Sequence, residues 1–196
     1  GLGMLLSGNI TGIVTNTGSI TTGSGSTQTL DKNGNTVTNP ETVGGDGLAV
    51  GGNVSGGILN VGDKLTDQEE KDLTAGTIET VRGLKKDAIG TDATITIIGP
   101  ENALHVGPDA GGAAGASITI GAVTKEAYGI INRGDMASST TKDLGTAETV
   151  RIGLGAGSAS SGSTTVVGGF LNDGGDITTK STSGKATSVA IGSGAI

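Results

Sequence analysis

The sequence contains no cysteine and no tryptophan, and its aromatic residues are Tyr128 and Phe170 alone. Without cysteine there are no disulfides and no thiolate chemistry, whether catalytic or metal-binding. Without large aromatic side chains, a compact core lacks the residues that bury the most area. These absences favour a thin core of small aliphatic residues, as a stacked repeat protein has.

Positive charge is also scarce, because 12 Lys and Arg stand against 19 Asp and Glu and the formal net charge is −7. Affinity for nucleic acid depends on Lys and Arg that neutralise phosphate, and the sequence has no basic cluster. It also has no run of about 18 apolar residues, so no membrane-spanning helix is expected in this segment. We therefore expect neither nucleic acid nor the bilayer interior as a partner.

The first residues of the sequence do not have the pattern of an export signal. Residues 1–6 have no basic start and no cleavage site, so they do not resemble a signal peptide. The chain starts and stops abruptly, and we expect it to be a piece of a longer exoprotein.

Glycine, in contrast, is abundant, with 39 in 196 residues, roughly three times the usual share of ~7%. It recurs in an element in which two apolar residues precede Asn-x-Gly, and such recurrence is the signature of repeat architectures. The asparagines of successive copies are 44, 72 and 40 residues apart. The four copies are residues 13–19, 57–63, 129–135 and 169–175.

A second element ends a short apolar-polar alternation with an apolar residue and glycine, as in residues 117–121, 149–153 and 188–192. A longer match relates residues 71–82 to residues 142–151, and both copies follow an Asn-x-Gly-Asp sequence. The two elements therefore alternate along the chain.

Alternation of this kind is the period of a strand with one buried face. We predict that Ile120, Ile152 and Ile191 face the interior and stack on equivalent residues of neighbouring coils, whereas Thr149 faces outward. Glycines at the strand ends suit corners that need positive φ, and no helical pattern separates successive strands. The sequence therefore predicts an all-β fold, a right-handed parallel β-helix (solenoid) of short Gly-bounded strands.

We expect a single β-helical domain over residues 1–196. With about 20 residues per coil, it would form nine or ten coils, a rod of order 45 Å. Asparagines of the Asn-x-Gly element would then fall on every second coil. For them a turn role, in which Asn tolerates left-handed φ, is favoured over a ladder of stacked amides.

Two segments depart from the repeats and predict loop insertions. Residues 24–42 are polar and contain Asn33-Gly34, a hairpin signal. In residues 64–76, Thr66 and Glu69 have the spacing of a capping box, which predicts a short helical turn.

Two stretches resemble a known family. Residues 52–62, Gly-Asn-Val-Ser-Gly-Gly-Ile-Leu-Asn-Val-Gly, and residues 186–195, Ala-Thr-Ser-Val-Ala-Ile-Gly-Ser-Gly-Ala, are similar to the passenger-region repeats of proteobacterial autotransporter-type exoproteins. The resemblance implies a parallel β-helix adhesin of the bacterial cell surface. The outer-membrane barrel that ends such proteins is not in this sequence. Residues 188–195 also resemble the head repeat of trimeric autotransporter adhesins, but here the motif does not return at the short, regular interval of that repeat.

Few residues point to catalysis. Glycoside hydrolysis generally needs paired carboxylates, and its sites usually add aromatic platforms that this chain nearly lacks. His105, the only histidine, is flanked by Leu104 and Val106 and is interpreted as structural. We assign no catalytic or cofactor-binding residue. The question of a metal is left open, because residues 44–47 and 172–176 faintly resemble calcium-binding glycine-rich turns.

The sequence is therefore interpreted as a non-enzymatic cell-surface or extracellular structural protein, serving in adhesion, biofilm matrix or a surface array. Its expected partners are further copies or the rest of its own chain, with host or surface glycans as a further class. The alternative is a surface polysaccharide lyase or hydrolase of the β-helix type. Carboxylates clustered along one groove of adjacent coils would favour that alternative.

Overall fold

The computed structural model describes residues 1–25, 27–39, 42–61, 67–76, 80–81, 84–85, 93–140 and 145–196. The predicted all-β fold of short, mostly parallel strands is confirmed, and the described residues contain one helix, α1 (Asp67–Thr74). The strands are β1 (Met4–Leu6), β2 (Val14–Asn16), β3 (Ser19–Thr22), β4 (Thr27–Leu30), β5 (Thr36–Asn39), β6 (Leu48–Val50), β7 (Ile58–Asn60), β8 (Thr80–Val81), β9 (Leu84–Lys85), β10 (Thr94–Ile98), β11 (Leu104–Val106), β12 (Ser117–Ile120), β13 (Ile130–Asn132), β14 (Asp135–Thr140), β15 (Ala147–Ile152), β16 (Ser163–Val166), β17 (Phe170–Asn172), β18 (Ile177–Ser181) and β19 (Ala186–Ile191).

Most strands belong to parallel sheets that the chain visits in a fixed order. Within the described residues, sheet A has the order β1-β6-β11-β15-β19, sheet B β12-β16, sheet C β17-β13-β7-β2 and sheet D β18-β14-β10-β3. The chain passes from sheet A to sheet C to sheet D and back to sheet A, and we call each passage a round. Single bridges from Val54 to Ile10 and to Ile120 continue the sheet B side through the first three rounds.

A round is longer than the sequence predicts. Along sheet A, Met4 pairs with Leu48, Leu48 with Leu104, Leu104 with Val150 and Val150 with Val189. Each of these steps along the chain is about twice the expected coil length of roughly 20 residues or more, so that expectation is wrong. The Asn-x-Gly and Ile-Gly elements lie on different sheets of one round and do not mark successive coils.

The stack of strands is correspondingly shorter. Sheet A, as far as the structure describes it, has five strands. At the usual spacing of paired strands they span about 19 Å, so the expected rod of about 45 Å is also wrong.

The core consists of aliphatic columns that run across the sheets. In sheet A the paired residues Leu48, Leu104 and Val150 form one column, and they are all buried. Sheets C and D continue the core with pairs such as Ile58 with Ile130 and Ile95 with Met136. The side chains that fill the core are aliphatic, as the lack of aromatic residues predicts.

The predicted inward register holds at two of its three isoleucines. Ile120 and Ile152 are buried, but Ile191 is 65% exposed because β19 is the outermost strand of sheet A in the described chain. The prediction for Thr149 is wrong as well. Its side chain is fully buried and bonded to Ser138 and Thr179, because β15 packs beside the strands of sheet D.

Glycines mark the places where adjacent rounds approach closely. At Gly168 φ is +71°, and a Cβ there would overlap the carbonyl oxygen of Ala127. At Gly121, a Cβ would overlap the carbonyl oxygen of Ser55 in the preceding round. No side chain fits against the backbone in this way, so glycine at these positions is required by contact, and at Gly168 by conformation as well.

Three described segments stand apart from the four parallel sheets, namely the hairpin of β4 and β5, helix α1 and the short antiparallel pair of β8 and β9. Strands β4 and β5 form an antiparallel hairpin, with Leu30 paired to Thr36 and Gly34 in the turn at φ +82°. Asp31 Oδ1 accepts hydrogen bonds from the backbone N–H groups of Asn33 and Asn35 at 2.8 and 2.9 Å. Helix α1 lies in the segment predicted to hold a helical turn, whereas Thr66 of the capping box, and residues 142–144 of the longer match, lie outside the described residues.

Candidate functional site

A buried histidine bridge joins three rounds. His105 is the middle residue of β11, so its side chain lies on the opposite face of sheet A from Leu104 and Val106. Its Nδ1 lies 3.0 Å from Asp46 Oδ2, and its Nε2 lies 3.2 Å from Asp109 Oδ1. Because a carboxylate lies at each ring nitrogen and a protonated imidazole can donate from both, this arrangement favours the protonated form.

The charges of this bridge stabilise one another. Burial lowers the pKa of His105, but the hydrogen bond to Asp46 and the charges of Asp46 and Asp109 outweigh burial and raise that pKa above its ordinary value. For both aspartates burial raises the pKa. At Asp46, the hydrogen bond from His105 outweighs burial and brings the pKa of the carboxyl below its ordinary value. At Asp109, the hydrogen bond from Gly155 N–H and the charge of His105 have the same effect on the pKa.

Backbone contacts anchor both carboxylates. Asp46 Oδ1 accepts from the backbone N–H of Asn102 at 2.8 Å and from its side-chain Nδ2 at 3.2 Å. Asp109 Oδ2 accepts from the N–H of Gly155, one round further on, at 2.8 Å. The bridge therefore ties together the chain before β6, strand β11 and the turn after β15. This geometry agrees with the structural interpretation of His105.

A cleft of about 380 Å³ lies over the bridge. On its far side, Arg151 is hydrogen-bonded to the carboxylate of Glu148 and donates to the carbonyl oxygen of Leu154 at 3.4 Å. Partial desolvation, and the negative charge of Asp46, raise the pKa of Glu101, which is solvent-exposed and accepts no hydrogen bond from the described residues. The lining residues include Glu101, Asn102, His105, Asp109, Glu148 and Arg151.

The sequence could not reveal this cleft. Asp46 lies 59 residues from His105 in the sequence. Arg151 lies beside His105 only because β11 and β15 pair in the register that places these two residues opposite each other. His105 and Asp109 are four residues apart, and in a chain of strands this spacing does not predict that their side chains meet. Two carboxylates and the histidine are engaged with each other, and Glu148 with Arg151, so Glu101 is the carboxylate available to a ligand.

In the two turns that faintly resemble calcium sites, aspartate side chains are hydrogen-bonded to other residues of the chain. Asp46 is held by His105 and Asn102, and Asp173 Oδ2 accepts from Arg133 Nε at 2.7 Å. Among the residues that the structure describes, no group of three or more His, Asp or Glu side chains is arranged to hold a metal ion.

The asparagines of the repeat form a continuous ladder along sheet C. Asn16 Nδ2 donates to Asn60 Oδ1 at 2.8 Å, Asn60 Nδ2 to Asn132 Oδ1 at 2.7 Å, and Asn132 Nδ2 to Asn172 Oδ1 at 2.7 Å. Asn60 and Asn132 are buried. The preference for a simple turn role is therefore wrong, and so is the placement on every second coil. Each round contributes one amide, at the same position of paired strands.

The two outer strands of sheet A expose apolar side chains. On β1, Met4 and Leu5 are 45% and 44% exposed, and on β19 Val189 and Ile191 are 39% and 65% exposed. The residues that continue the columns of Met4, Val189 and Ile191 through the middle of the sheet are buried, whereas the column of Leu5 runs through His105 and the half-buried Arg151. We call the outer surface formed by β1, β2 and β3 the N face, and the one formed by β17, β18 and β19 the C face.

Comparisons with protein-family models, with curated proteins and with solved structures found no match for this chain. Within the described residues, no helix is long and apolar enough to cross a bilayer.

Proposed function

We propose that this chain is a non-enzymatic structural protein of a cell surface or the extracellular space, a right-handed parallel β-helix that acts through its surface and through self-association. The observation that carries the proposal is the pair of open faces. Within the described residues, each face ends in a strand edge with no further strand paired to it, and exposed Met4, Val189 and Ile191 lie there on columns that are buried inside.

The β-helix winding is supported by topology. Strands of sheet A are parallel, and each connection leaves the sheet, passes through sheets C and D, and returns to the neighbouring position. Parallel crossover connections of this kind are right-handed in ~98% of cases. An experimental structure of the chain would test the hand directly.

Association is supported by the physical chemistry of sheet edges. An exposed edge presents unpaired N–H and C=O groups that pair readily with another strand, and solenoid arrays need polar capping rounds to remain soluble alone. Neither β1 nor β19 has a charged residue. The occupant of these faces is a second copy or a further length of the same polypeptide. Adhesion, a biofilm matrix or a surface array are roles in which such stacking is useful.

Sedimentation velocity over a hundredfold concentration range tests the proposal. We expect the fraction of assembled material to rise with concentration. The net charge of −7 opposes lateral approach of copies, so added salt is expected to favour association. Negative-stain images should then show stacked particles. A single monomeric species throughout, at low and high salt, would contradict self-association.

A second candidate, a surface polysaccharide lyase or hydrolase, is favoured by one specific observation. Carboxylates and Arg151 from adjacent rounds gather around one cleft, and Glu101 carries a raised pKa and no bonding partner in the described chain. A carboxyl with a raised pKa suits general acid work on a glycan.

Incubation with acidic and neutral polysaccharides tests this candidate, with release of reducing ends or of unsaturated uronate as the measurement. Activity that Glu101→Gln abolishes, while Gln68→Glu on exposed helix α1 leaves it unchanged, would establish the enzyme. No release from any polysaccharide by the wild-type chain would leave the structural proposal as the better one.

A further inference from the structure

We infer that copies of this chain stack head to tail, the C face of one copy on the N face of the next, with the asparagine ladder setting the direction. The inference rests on the proposed function and deepens it, because it names the partner as a second copy and fixes its orientation. Three observations carry it, namely the polarity of the ladder, the register of the aliphatic columns and the distribution of charge.

The ladder has one direction from end to end. Every amide donates from Nδ2 to the Oδ1 of the asparagine in the following round. At the N face, Asn16 Oδ1 has no asparagine before it in the ladder, and among the described residues it accepts a hydrogen bond from Gly18 N–H at 3.3 Å. At the C face, Asn172 uses one N–H for the carbonyl oxygen of Gly175 at 2.6 Å and retains a second, because a primary amide has two.

The donor at the C face is complementary to the acceptor at the N face, whereas two identical faces are not complementary. Asn172 Nδ2 of one copy can donate to Asn16 Oδ1 of the next, which continues the ladder by the bond that joins rounds inside the chain. Two N faces would instead bring acceptor oxygens together, and two C faces would bring donors together. The amides therefore favour one relative orientation of the two copies.

The aliphatic columns continue in the same stack. Val189 and Met4 are the two ends of the column that contains Leu48, Leu104 and Val150. Ile191 and Leu6 likewise end the neighbouring column. Val189 on Met4 and Ile191 on Leu6 would bury the exposed ends at the strand spacing used throughout sheet A.

The backbone follows the same direction. Met4 N–H donates to the carbonyl oxygen of Gly47, and Leu48 N–H donates to that of Ala103. Residues of this column therefore point their N–H groups towards the following round. By the same alternation the N–H of Val189 points outward from the C face, where a following β1 would accept it.

Charge places no obstacle at the N face. Residues 1–30 contain no Asp, Glu, Lys, Arg or His, so the strands of the N face bring no ionised side chain into the contact. The strands of the C face bring one, the exposed Lys180 of β18. An end contact of this kind uses two different surfaces, and such a heterologous contact repeats without closing when successive copies continue along one axis, as paired rounds do inside the chain. The expected assembly is therefore an open filament that grows along the stacking axis.

Two variants of the full chain, each blocked on one face, test the orientation. Met4→Lys places a charge on the N face, and Ile191→Lys places one on the C face. Each variant alone should sediment as a monomer, because every contact needs one face of each kind. A 1:1 mixture should form a dimer that does not grow, since the mixture contains one open C face and one open N face per pair.

Each other outcome has a distinct meaning. A monomeric wild-type chain at every concentration removes the proposed self-association itself. An associating wild type with a dimeric Ile191→Lys variant indicates N face to N face contact, and a dimeric Met4→Lys variant indicates C face to C face contact. Either result overturns the head-to-tail inference while self-association stands. A mixture that stays monomeric overturns it as well.

A ladder variant keeps the test valid if a lysine prevents folding, which loss of the β signal in circular dichroism would reveal. Asn172→Asp retains the acceptor for Asn132 but replaces the outward donor with a carboxylate facing Asn16. We expect association to weaken at least about tenfold, the equivalent of one lost hydrogen bond. Asn33→Asp, the same change on the exposed hairpin turn, should leave association unchanged. Equal effects of the two changes would overturn the role of the ladder.

Discussion

Several polar side chains are buried inside this chain, although its composition predicts an aliphatic core. Thr149, His105 and the ladder asparagines Asn60 and Asn132 are buried and bonded. Strand alternation correctly places Ile120 and Ile152 inside. It could not place Thr149, because the partner hydroxyls come from strands 11 and 30 residues away in sequence.

The first prediction at this scale concerns Thr149. Its hydroxyl bonds to Ser138 Oγ at 2.8 Å and to the carbonyl oxygen of Thr178 at 3.0 Å. We expect Thr149→Ala to lower the free energy of unfolding by about 1–3 kcal/mol, because buried partners lose a bond. Ile152→Ala should cost about 2–5 kcal/mol as a core truncation.

Urea denaturation measures these changes. Thr178→Ala, an exposed threonine on the adjacent strand, is the control and should stay within about 0.5 kcal/mol of the wild type. If Thr149→Ala behaved like this control, the buried hydroxyl cluster would not contribute to stability.

The second prediction concerns the pH dependence that the histidine bridge confers. The pKa of His105 in the folded state lies above its ordinary value of 6.5. Its contribution to stability is therefore complete below pH 6.5 and is lost as pH rises through the raised pKa. The lowered pKa values of Asp46 and Asp109 have the opposite sign, so their contribution is present above pH 3.8 and is lost as pH falls.

Urea midpoints measured between about pH 6 and pH 9 test the histidine. The midpoint of the wild type should fall over this interval, and that of His105→Gln should change much less, since no other histidine exists in the chain. Parallel curves for the two proteins would show that the bridge does not set the pH dependence.

At the scale of elements, the strands were predictable but their assembly into rounds was not. Asn-x-Gly and Ile-Gly repeats correctly indicate short parallel strands bounded by glycine. The spacing of these repeats is compatible with a short coil and also with one side of a longer round. Periodicity alone does not show which copies of a repeat pair with each other. The hairpin of β4 and β5 was predictable, since the Asn-Gly turn is a local signal.

Our prediction for an element concerns the ladder of sheet C. Asn132 is fully buried, and its removal leaves Asn60 Nδ2 and Asn172 Oδ1 without partners. We expect Asn132→Ala to lower the free energy of unfolding by about 1–3 kcal/mol for each group left unsatisfied. Asn172→Ala, at the exposed end of the ladder, should cost less. Urea denaturation of both variants makes the comparison, and equal costs would contradict a cooperative ladder.

At the scale of the whole molecule, absences in the sequence predict the thin aliphatic core, and repeats predict the parallel sheets. The cleft around Glu101 could not be predicted, because it forms between the segments that flank β11 and β15, which pair only in the folded chain. The exposure of Ile191 could not be predicted either, because it depends on β19 being the outermost strand of sheet A in the described chain.

Far-UV circular dichroism tests the fold as a whole. The helix α1 has eight residues, so the spectrum should be dominated by β signal. Helix should stay below about a tenth of residues, against a usual ~30%. A spectrum with substantial helix would contradict the fold.

The length of a round has a consequence for how the chain folds. Each strand of sheet A finds its partner a full round further along the chain, as Leu48 does with Leu104 and Val150 with Val189. Local pairing therefore cannot start the fold, and high contact order slows folding. Once two rounds have paired, however, each later round closes a loop of similar length against an edge that already exists. Folding should therefore begin slowly and then advance one round at a time, with the newest edge serving as the template for the next.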